Sequence, residues 1–246
     1  MTIYHNLATI YDKLMIDVDY QSWTEYIINL MDLPKGSTIV ELGCGTGNIA
    51  IPLAQKGYRV IGIDNSEDML TVAKDKSLGL NVDLKLVLQD VRQLNLGSIK
   101  GDFVISPCDG LNYILDEGEI LAVFNKVYSL LKEKGVFLFD LNGEYKIKNI
   151  IGNNSFNHVG EDLCYIWESS FDENTNIGEW DITFFVKQGA EYQRFEENHR
   201  QRAYTIEFMK NCLKDSGFKE IRTLEWPNQS KPRENSERIQ FMAIKP

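Results

Sequence analysis

The sequence predicts an α/β fold: an open, doubly wound sheet of mostly parallel strands with an antiparallel β insertion. Short apolar runs, each ending in polar residues, alternate with helix-periodic segments, as repeated strand–helix–strand units require. Glycines at alternate positions, Gly43, Gly45 and Gly47, directly follow the first of these runs. From Phe156 to Arg202 the alternation changes to period two, so a separate set of antiparallel strands interrupts the repeat.

Two helical segments come first. Leu7, Ile10, Tyr11, Leu14 and Met15 fall at helical spacing, as do Trp23, Tyr26, Ile27, Leu30 and Met31 after a cap region at Asp19 to Ser22. Ile39, Val40 and Leu42 then read as a strand packed on both faces. A helix over Asn48 to Lys56 stops at Gly57, and Arg59 to Asp64 is a second apolar strand that ends in a carboxylate. The third strand, Leu84 to Leu88, ends in Gln89-Asp90-Val91. The fourth, Phe103 to Ser106, runs into Pro107-Cys-Asp-Gly-Leu-Asn-Tyr113.

Asp116 to Lys134 reads as a helix with Leu121, Phe124, Val127, Tyr128 and Leu131 inward, stopped by Gly135 and followed by the strand Val136 to Asp140. In the insertion, three sets share period two: Tyr165, Trp167, Ser169, Phe171; Trp180, Ile182, Phe184, Val186; and Gln193, Phe195, Glu197, His199. Turn-like Asp172 to Gly178 and Gln188 to Glu191 make a meander of three or four strands. The chain then returns to a helix, Tyr204 to Ser216, stopped by Gly217, and two strands, Phe218 to Trp226 and Arg238 to Ile244.

Ligands of such sheets collect outside the carboxyl ends of the strands. The glycines let the backbone turn sharply and approach a ligand without a side chain in the way. Asp64 stands 17 residues beyond Gly47, close to the roughly 20-residue spacing at which an acid meets a ribose in dinucleotide folds. It either accepts from ribose hydroxyls or caps the helix that begins near Ser66, a task Asn65 and Ser66 also suit.

The run Val40-Glu-Leu-Gly-Cys-Gly-Thr-Gly47 resembles motif I of the class I S-adenosylmethionine-dependent methyltransferases. Its GxGxG spacing departs from the GxGxxG of dinucleotide sites, which disfavours a nicotinamide-dependent oxidoreductase. The resemblance covers about residues 36–142 and 203–245. It implies a seven-stranded Rossmann-like methyltransferase fold closed by an antiparallel pair, with S-adenosyl-L-methionine as cofactor and S-adenosyl-L-homocysteine as product. By resemblance, Asp90 meets the adenine amino group and the Val91 amide a ring nitrogen. The cofactor-binding set expected is Tyr11, Tyr20, Glu41, Gly43, Cys44, Gly45, Gly47, Asp64, Asn65, Met69, Asp90, Val91 and Cys108.

The run from Tyr11 to Trp23 is similar to the N-terminal lid of small-molecule N-methyltransferases of the glycine and amino-sugar groups, in which aromatic residues close over the methionine end. A sulfonium is a cation, so an aromatic face beside it is worth about 0.5–2 kcal/mol. Tyr11 and Tyr20 are lid candidates or core residues of an amphipathic helix; Trp23 is read as core. The expected division is a helical lid at 1–35, a cofactor-binding core at 36–150 and 203–246, and a substrate roof at 151–202.

Composition bounds the partners. A net charge of −10 over 246 residues argues against nucleic acid, whose binding is built on Lys and Arg. Cys44, Cys108, Cys164 and Cys212 lack CxxC or Cys/His spacing, so neither a metal nor a disulfide framework is expected. No segment approaches the roughly 20 apolar residues of a membrane span, and no leader pattern opens the chain. A cytoplasmic protein is expected, monomer or homodimer.

Methyl transfer from a sulfonium is an in-line displacement, which needs a lone pair held about 3–3.5 Å from the methyl carbon. An amine must lose its proton first, and a phenol or alcohol needs a base. Tyr11, Asn112, Tyr113 and His199 are the catalytic candidates, with Glu197 and Asp109 as further acid–base groups. His199 reads equally as a sheet-surface histidine beside Arg200 and Arg202; His5 and His158 sit in no motif. Ser106-Pro-Cys-Asp109 replaces the Asn/Asp-Pro-Pro-Tyr of adenine amino-methyltransferases, which weakens a nucleic-acid base as acceptor. The expected function is methylation of a small molecule, most readily an amine. The alternative is a cofactor-binding regulatory or interaction protein without turnover.

Overall fold

The computed structural model describes residues 7–246, so His5 lies outside them. Its larger sheet has seven strands: β1 Thr38–Leu42, β2 Arg59–Asp64, β3 Leu84–Leu88, β4 Gly101–Ser106, β5 Leu131–Asn142, β10 Lys219–Glu225 and β11 Arg238–Ile244. They lie in the order β10-β11-β5-β4-β1-β2-β3, with β11 antiparallel to both neighbours and the remaining pairs parallel. The order reverses between β1 and β4. A crevice opens there at the carboxyl ends, and the switch point is where such sheets bind ligands.

Helices cover both faces. Against one lie α2 (Tyr20–Met31), α3 (Ala50–Gln55) and α4 (Glu67–Ser77), whose Ile27, Leu53 and Leu70 pack with Ile39, Ile105 and Leu138. Against the other lie α5 (Glu117–Leu130) and α6 (Ile206–Asp215), whose Phe124, Val127 and Met209 pack with Phe137, Phe139 and Phe241. These aromatic side chains are almost wholly buried, and each contributes about 1.5–3 kcal/mol of burial free energy. The short helix α1 (Tyr11–Leu14) belongs to neither layer and sits over the carboxyl ends of the strands.

The helix expected to run to Lys134 ends instead at Leu130. Leu131 is already extended and pairs with Gly101 as the first residue of β5. The Lys245 ammonium explains the early stop, because it donates to the Tyr128 and Leu131 carbonyls at 2.8 Å each and so satisfies the helix end from the last strand. The helix expected from Tyr204 starts at Ile206. Tyr204 is held away by its buried hydroxyl, which donates to the Ile114 carbonyl at 2.6 Å.

Between β5 and α6 stands a second sheet of four antiparallel strands, β6 Ser155–Val159, β7 Leu163–Asp172, β8 Ile177–Gln188 and β9 Glu191–Arg202. Register puts Tyr165 beside Phe184 and Phe195, Trp167 beside Ile182 and Glu197, and Ser169 beside Trp180 and His199. The period-two sets therefore share one face. At one end of it Phe184 packs with Leu7, Ala8, Ile10 and Met69, which joins this sheet to the N-terminal segment and to α4.

Candidate functional site

The glycine loop follows β1 because three residues there adopt φ values that favour glycine: +71° at Gly43, +52° at Gly45 and +80° at Gly47. The Gly43 and Cys44 amides both donate to the Ile63 carbonyl, at 2.8 and 2.9 Å, which folds the loop over the end of β2. Gly62 makes room below, since a Cβ there would meet Cys44 Sγ at 2.8 Å. Asp64 then braces the loop: Oδ2 accepts from the Gly45 amide at 2.8 Å and Oδ1 from the Ser66 amide at 2.9 Å. Ser66, not Asp64, caps α4, through the Met69 amide.

Glu41 lies in β1 and is almost wholly buried, and its Oε2 has no hydrogen-bond partner among the described residues. Burial first, and then the charge of Asp64, push its carboxyl well above the usual range. Cys44 and Cys108 both feel Glu41's charge, so it sits between the two strand ends of the crevice. A buried carboxyl with one oxygen left without a donor favours a cation or a donor group beside it. These residues fit S-adenosylmethionine, which carries an ammonium and a sulfonium and needs a glycine loop open to backbone approach.

Further along the sheet, Gln89 N donates to the Asp64 carbonyl at 2.9 Å, which sets the end of β3 beside that of β2. Asp90 accepts from the Arg92 amide at 2.8 Å and from its guanidinium, and these bonds hold its carboxyl below the ordinary value. Val91 opens the short helical turn that follows. Asn65 is exposed and Met69 buried against the N-terminal segment.

Above the loop, Asp12 of α1 makes a connection that no sequence pattern announces. Its Oδ1 accepts from Thr46 Oγ1 at 2.6 Å and Asn48 Nδ2 at 2.9 Å, and its Oδ2 from Lys76 Nζ at 2.7 Å. Beside it, burial holds the Tyr11 phenol proton well above the ordinary value, with Tyr20, Cys108, Asp109 and Tyr113 adding to the effect. Tyr20 is pushed up to about 12, chiefly by burial and then by Cys108, and its hydroxyl bonds Asn48 and Tyr11. Tyr11 and Tyr20 thus converge on the end of β4. Trp23 is buried and stacks on Trp226 at 3.8 Å between ring centroids.

The β4 end is shaped by a buried ionic layer. Cys108 and Asp109 take left-handed φ values of 61° and 55°, and both amides donate to the fully buried Asp140, at 2.8 and 3.2 Å. Arg238 bridges Asp140 and Asp109, and Gln201 Nε2 adds a bond to Asp109 at 2.9 Å. Burial alone would lower Arg238's proton affinity, but the charges of Asp140 and Asp109 outweigh it and raise it. Asp140, Gln201 and Arg238 escape sequence reasoning because they lie far apart along the chain and meet only through the register of β5, β9 and β11.

Asn112 is fully buried, and its amide is spent on backbone: Nδ2 donates to the Arg202 carbonyl at 2.9 Å and the Asn142 carbonyl at 3.3 Å, while Oδ1 accepts from the Asn142 amide at 3.0 Å. It therefore positions the mouth from behind. Tyr113, next to it, shares a hydrogen bond of 3.1 Å with His199 Nδ1 under the four-stranded sheet. Burial pushes His199 down to about 4, so its ring is neutral near pH 7. Two residues along the same face, burial pushes Glu197 up to about 7, against a bond from the Leu7 amide. No cluster of three or more His, Cys, Asp or Glu among the described residues is arranged to hold a metal, and all four cysteines are free thiols.

Comparison with known proteins agrees with this geometry. The methyltransferase domain family matches residues 39–135. A Bacillus subtilis (strain 168) protein named "Putative methyltransferase YqeM" is 36% identical over 99% of this chain and 97% of its own. The crystal structure of an S-adenosylmethionine-dependent methyltransferase from Clostridium acetobutylicum ATCC 824 is 34% identical, covers 98% of each chain and superposes with a TM-score of 0.88. The sugar N-methyltransferase KedS8 from Streptoalloteichus sp ATCC 53650 shares the fold at 16% identity, with a TM-score of 0.77 over 96% of this chain and 92% of its own.

Proposed function

Since this chain belongs to the class I S-adenosylmethionine-dependent methyltransferases, we propose that its acceptor is a small amine, methylated on nitrogen beneath the four-stranded roof. The observation that carries this reading is the buried pair Glu197 and His199 on one face of the four-stranded sheet, with His199 Nδ1 3.1 Å from the hydroxyl of Tyr113, which follows β4. Burial moves the two apart, as it does any carboxyl and any imidazole, and leaves Glu197 near the pH at which a general base works best. Glu197 is matched to receive the proton an alkylammonium must lose, whereas His199 is too weak a base near pH 7 and instead orients Tyr113.

S-adenosylmethionine, when bound, supplies a methyl group on a sulfonium. The chain's own residues do the rest. Gly43 to Gly47, Glu41 and Asp64 seat the methionine and ribose parts, and Asp90 and Val91 the adenine. Tyr11 and Tyr20 close the described part of the N-terminal segment over the mouth as a lid, and residues 151–202 exclude water from above. Tyr113 and Tyr11 border the acceptor and align its lone pair, while Asn112 holds the loop that carries Tyr113.

The test is an assay of S-adenosylhomocysteine release with a panel of primary and secondary amines, amino sugars, phenols and carboxylic acids. Turnover of amines, with the methyl group found on nitrogen, supports the proposal. Turnover of phenols or acids alone overturns it.

A further inference from the structure

At the same end of the sheet, beside the β4 mouth, lies a second opening. A cavity of about 320 Å³ is lined by Lys146, just beyond β5; by Glu225 and Trp226, where β10 ends; and by Arg233, Glu237 and Arg238, leading into β11. Its volume is within the range of small-molecule sites. Arg238 pairs with Asn142 at the carboxyl end of β5, so the cavity stands where ligands of open α/β sheets gather.

The charges in its wall are unequally committed. Arg233 is spent on Glu225 at 2.8 and 3.1 Å, and Arg238 on Asp109 and Asp140. Glu237 is exposed at the rim. Lys146 donates to the neutral Asn142 Oδ1 at 2.9 Å and takes part in none of the ion pairs among the described residues. Burial, and then the Arg238 guanidinium, hold its ammonium below the ordinary lysine value, with Asp109, Glu237 and Asp140 pulling the other way. A half-buried ammonium bonded to a neutral side chain at the wall of this cavity keeps N–H donors for an anion.

We infer that this cavity seats a carboxylate or phosphate group carried by the methyl acceptor, bound by Lys146 over the Arg238 floor and flanked by the Trp226 ring. The inference rests on the proposal of a small amine acceptor and narrows it to amines that also bear an acid. The same Arg238 fixes Asp109 and Asp140, whose carboxylates hold the β4 mouth, so the anion and the reacting end of the acceptor are framed by one ionic layer.

The probes are inorganic phosphate and acetate, added to the full chain saturated with S-adenosylhomocysteine. Acylation of Lys146, read by peptide mass spectrometry, should slow several-fold with millimolar phosphate or acetate and not with sodium chloride of equal ionic strength. The stronger arm tells phosphate from carboxylate. Calorimetric binding of that anion should disappear in Lys146→Met and survive in Lys146→Arg. Labelling is done on the natural chain, so the result stands whatever the variants' folding. Equal labelling with and without both anions overturns the site. Amines methylated without any protection of Lys146 would sink the anion site and leave the amine proposal standing. Protection with no amine turned over would do the reverse.

Discussion

Asp12 of α1 and Thr46 in the glycine loop are joined by a side-chain hydrogen bond of 2.6 Å, which ties the N-terminal helix to the loop. Asn48 and Lys76 complete the same clamp. Under the proposal that α1 belongs to a lid, its position and the shape of the loop are coupled through this clamp.

Asp12→Ala should weaken S-adenosylhomocysteine binding while leaving the core intact. The Asp12 and Lys76 side chains are 42% and 32% exposed, so the expected loss is about 1 kcal/mol, roughly fivefold in Kd, and shrinks at high salt. Isothermal calorimetry at two ionic strengths reads it directly. An affinity that ignores both the substitution and the salt would return Asp12 to ordinary surface structure.

Asp64→Ala removes a carboxylate that braces the Gly45 and Ser66 amides and, in the proposed reading, meets the ribose. Affinity for S-adenosylhomocysteine should fall by roughly 1.5–3 kcal/mol, the range of hydrogen bonds to charged groups. Thermal melting without ligand separates the two roles: a full loss of stability with normal affinity would leave only the brace.

Glu197 and His199 should oppose one another in the pH dependence of stability. His199 falls from 6.5 to about 4 on folding, so the unfolded chain binds its proton first and stability declines as pH drops through that window. Glu197 rises from 4.5 to about 7, so the folded chain keeps its proton longer and stability declines as pH climbs through that window. Between about 4.5 and 6.5 the two slopes, each up to about 1.4 kcal/mol per pH unit, cancel. Glu197→Gln should unmask a stability that rises with pH across this interval, and His199→Gln one that falls. Denaturant melts at several pH values check both signs.

With an amine acceptor in hand, kcat/KM should climb with pH through a limb near 7 that belongs to Glu197. Glu197→Gln should abolish that limb and lower the rate by roughly 10²–10⁴-fold, the usual contribution of a positioned base. A profile unchanged in the variant would move the proton acceptor elsewhere.

The strands were legible because each is a short, largely apolar run bounded by polar or turn-forming residues. Arg59 to Asp64, Leu84 to Leu88 and Arg238 to Ile244 match their observed bounds. The inner face of the roof was legible for a related reason: period two leaves only one register that buries Phe184 and Trp180 together. Contacts between distant polar residues were not. Asp12 reaches Lys76 across 64 positions and Arg238 reaches Asp109 across 129, and neither pairing leaves a periodic trace. Asn112 was correctly placed beyond the fourth strand, but only packing reveals that its amide turns inward. The end of α5 was missed because the group that terminates it, Lys245, arrives from the far end of the chain.

The polypeptide leaves the main sheet at Asn142 and rejoins the core after Arg202, and one side chain, Asn112, is bonded to both points. The four-stranded insertion is in effect a cassette whose two ends share one clasp, with Gln201 to Asp109 and His199 to Tyr113 as further ties. Duplication and divergence can rewrite the sixty residues or so between those two positions while the donor frame stays under unchanged selection. A lineage of such enzymes would then diversify its acceptors by exchanging the cassette and keeping the clasp, and chimaeras joined at Asn142 and Arg202 are the natural way to retrace that history.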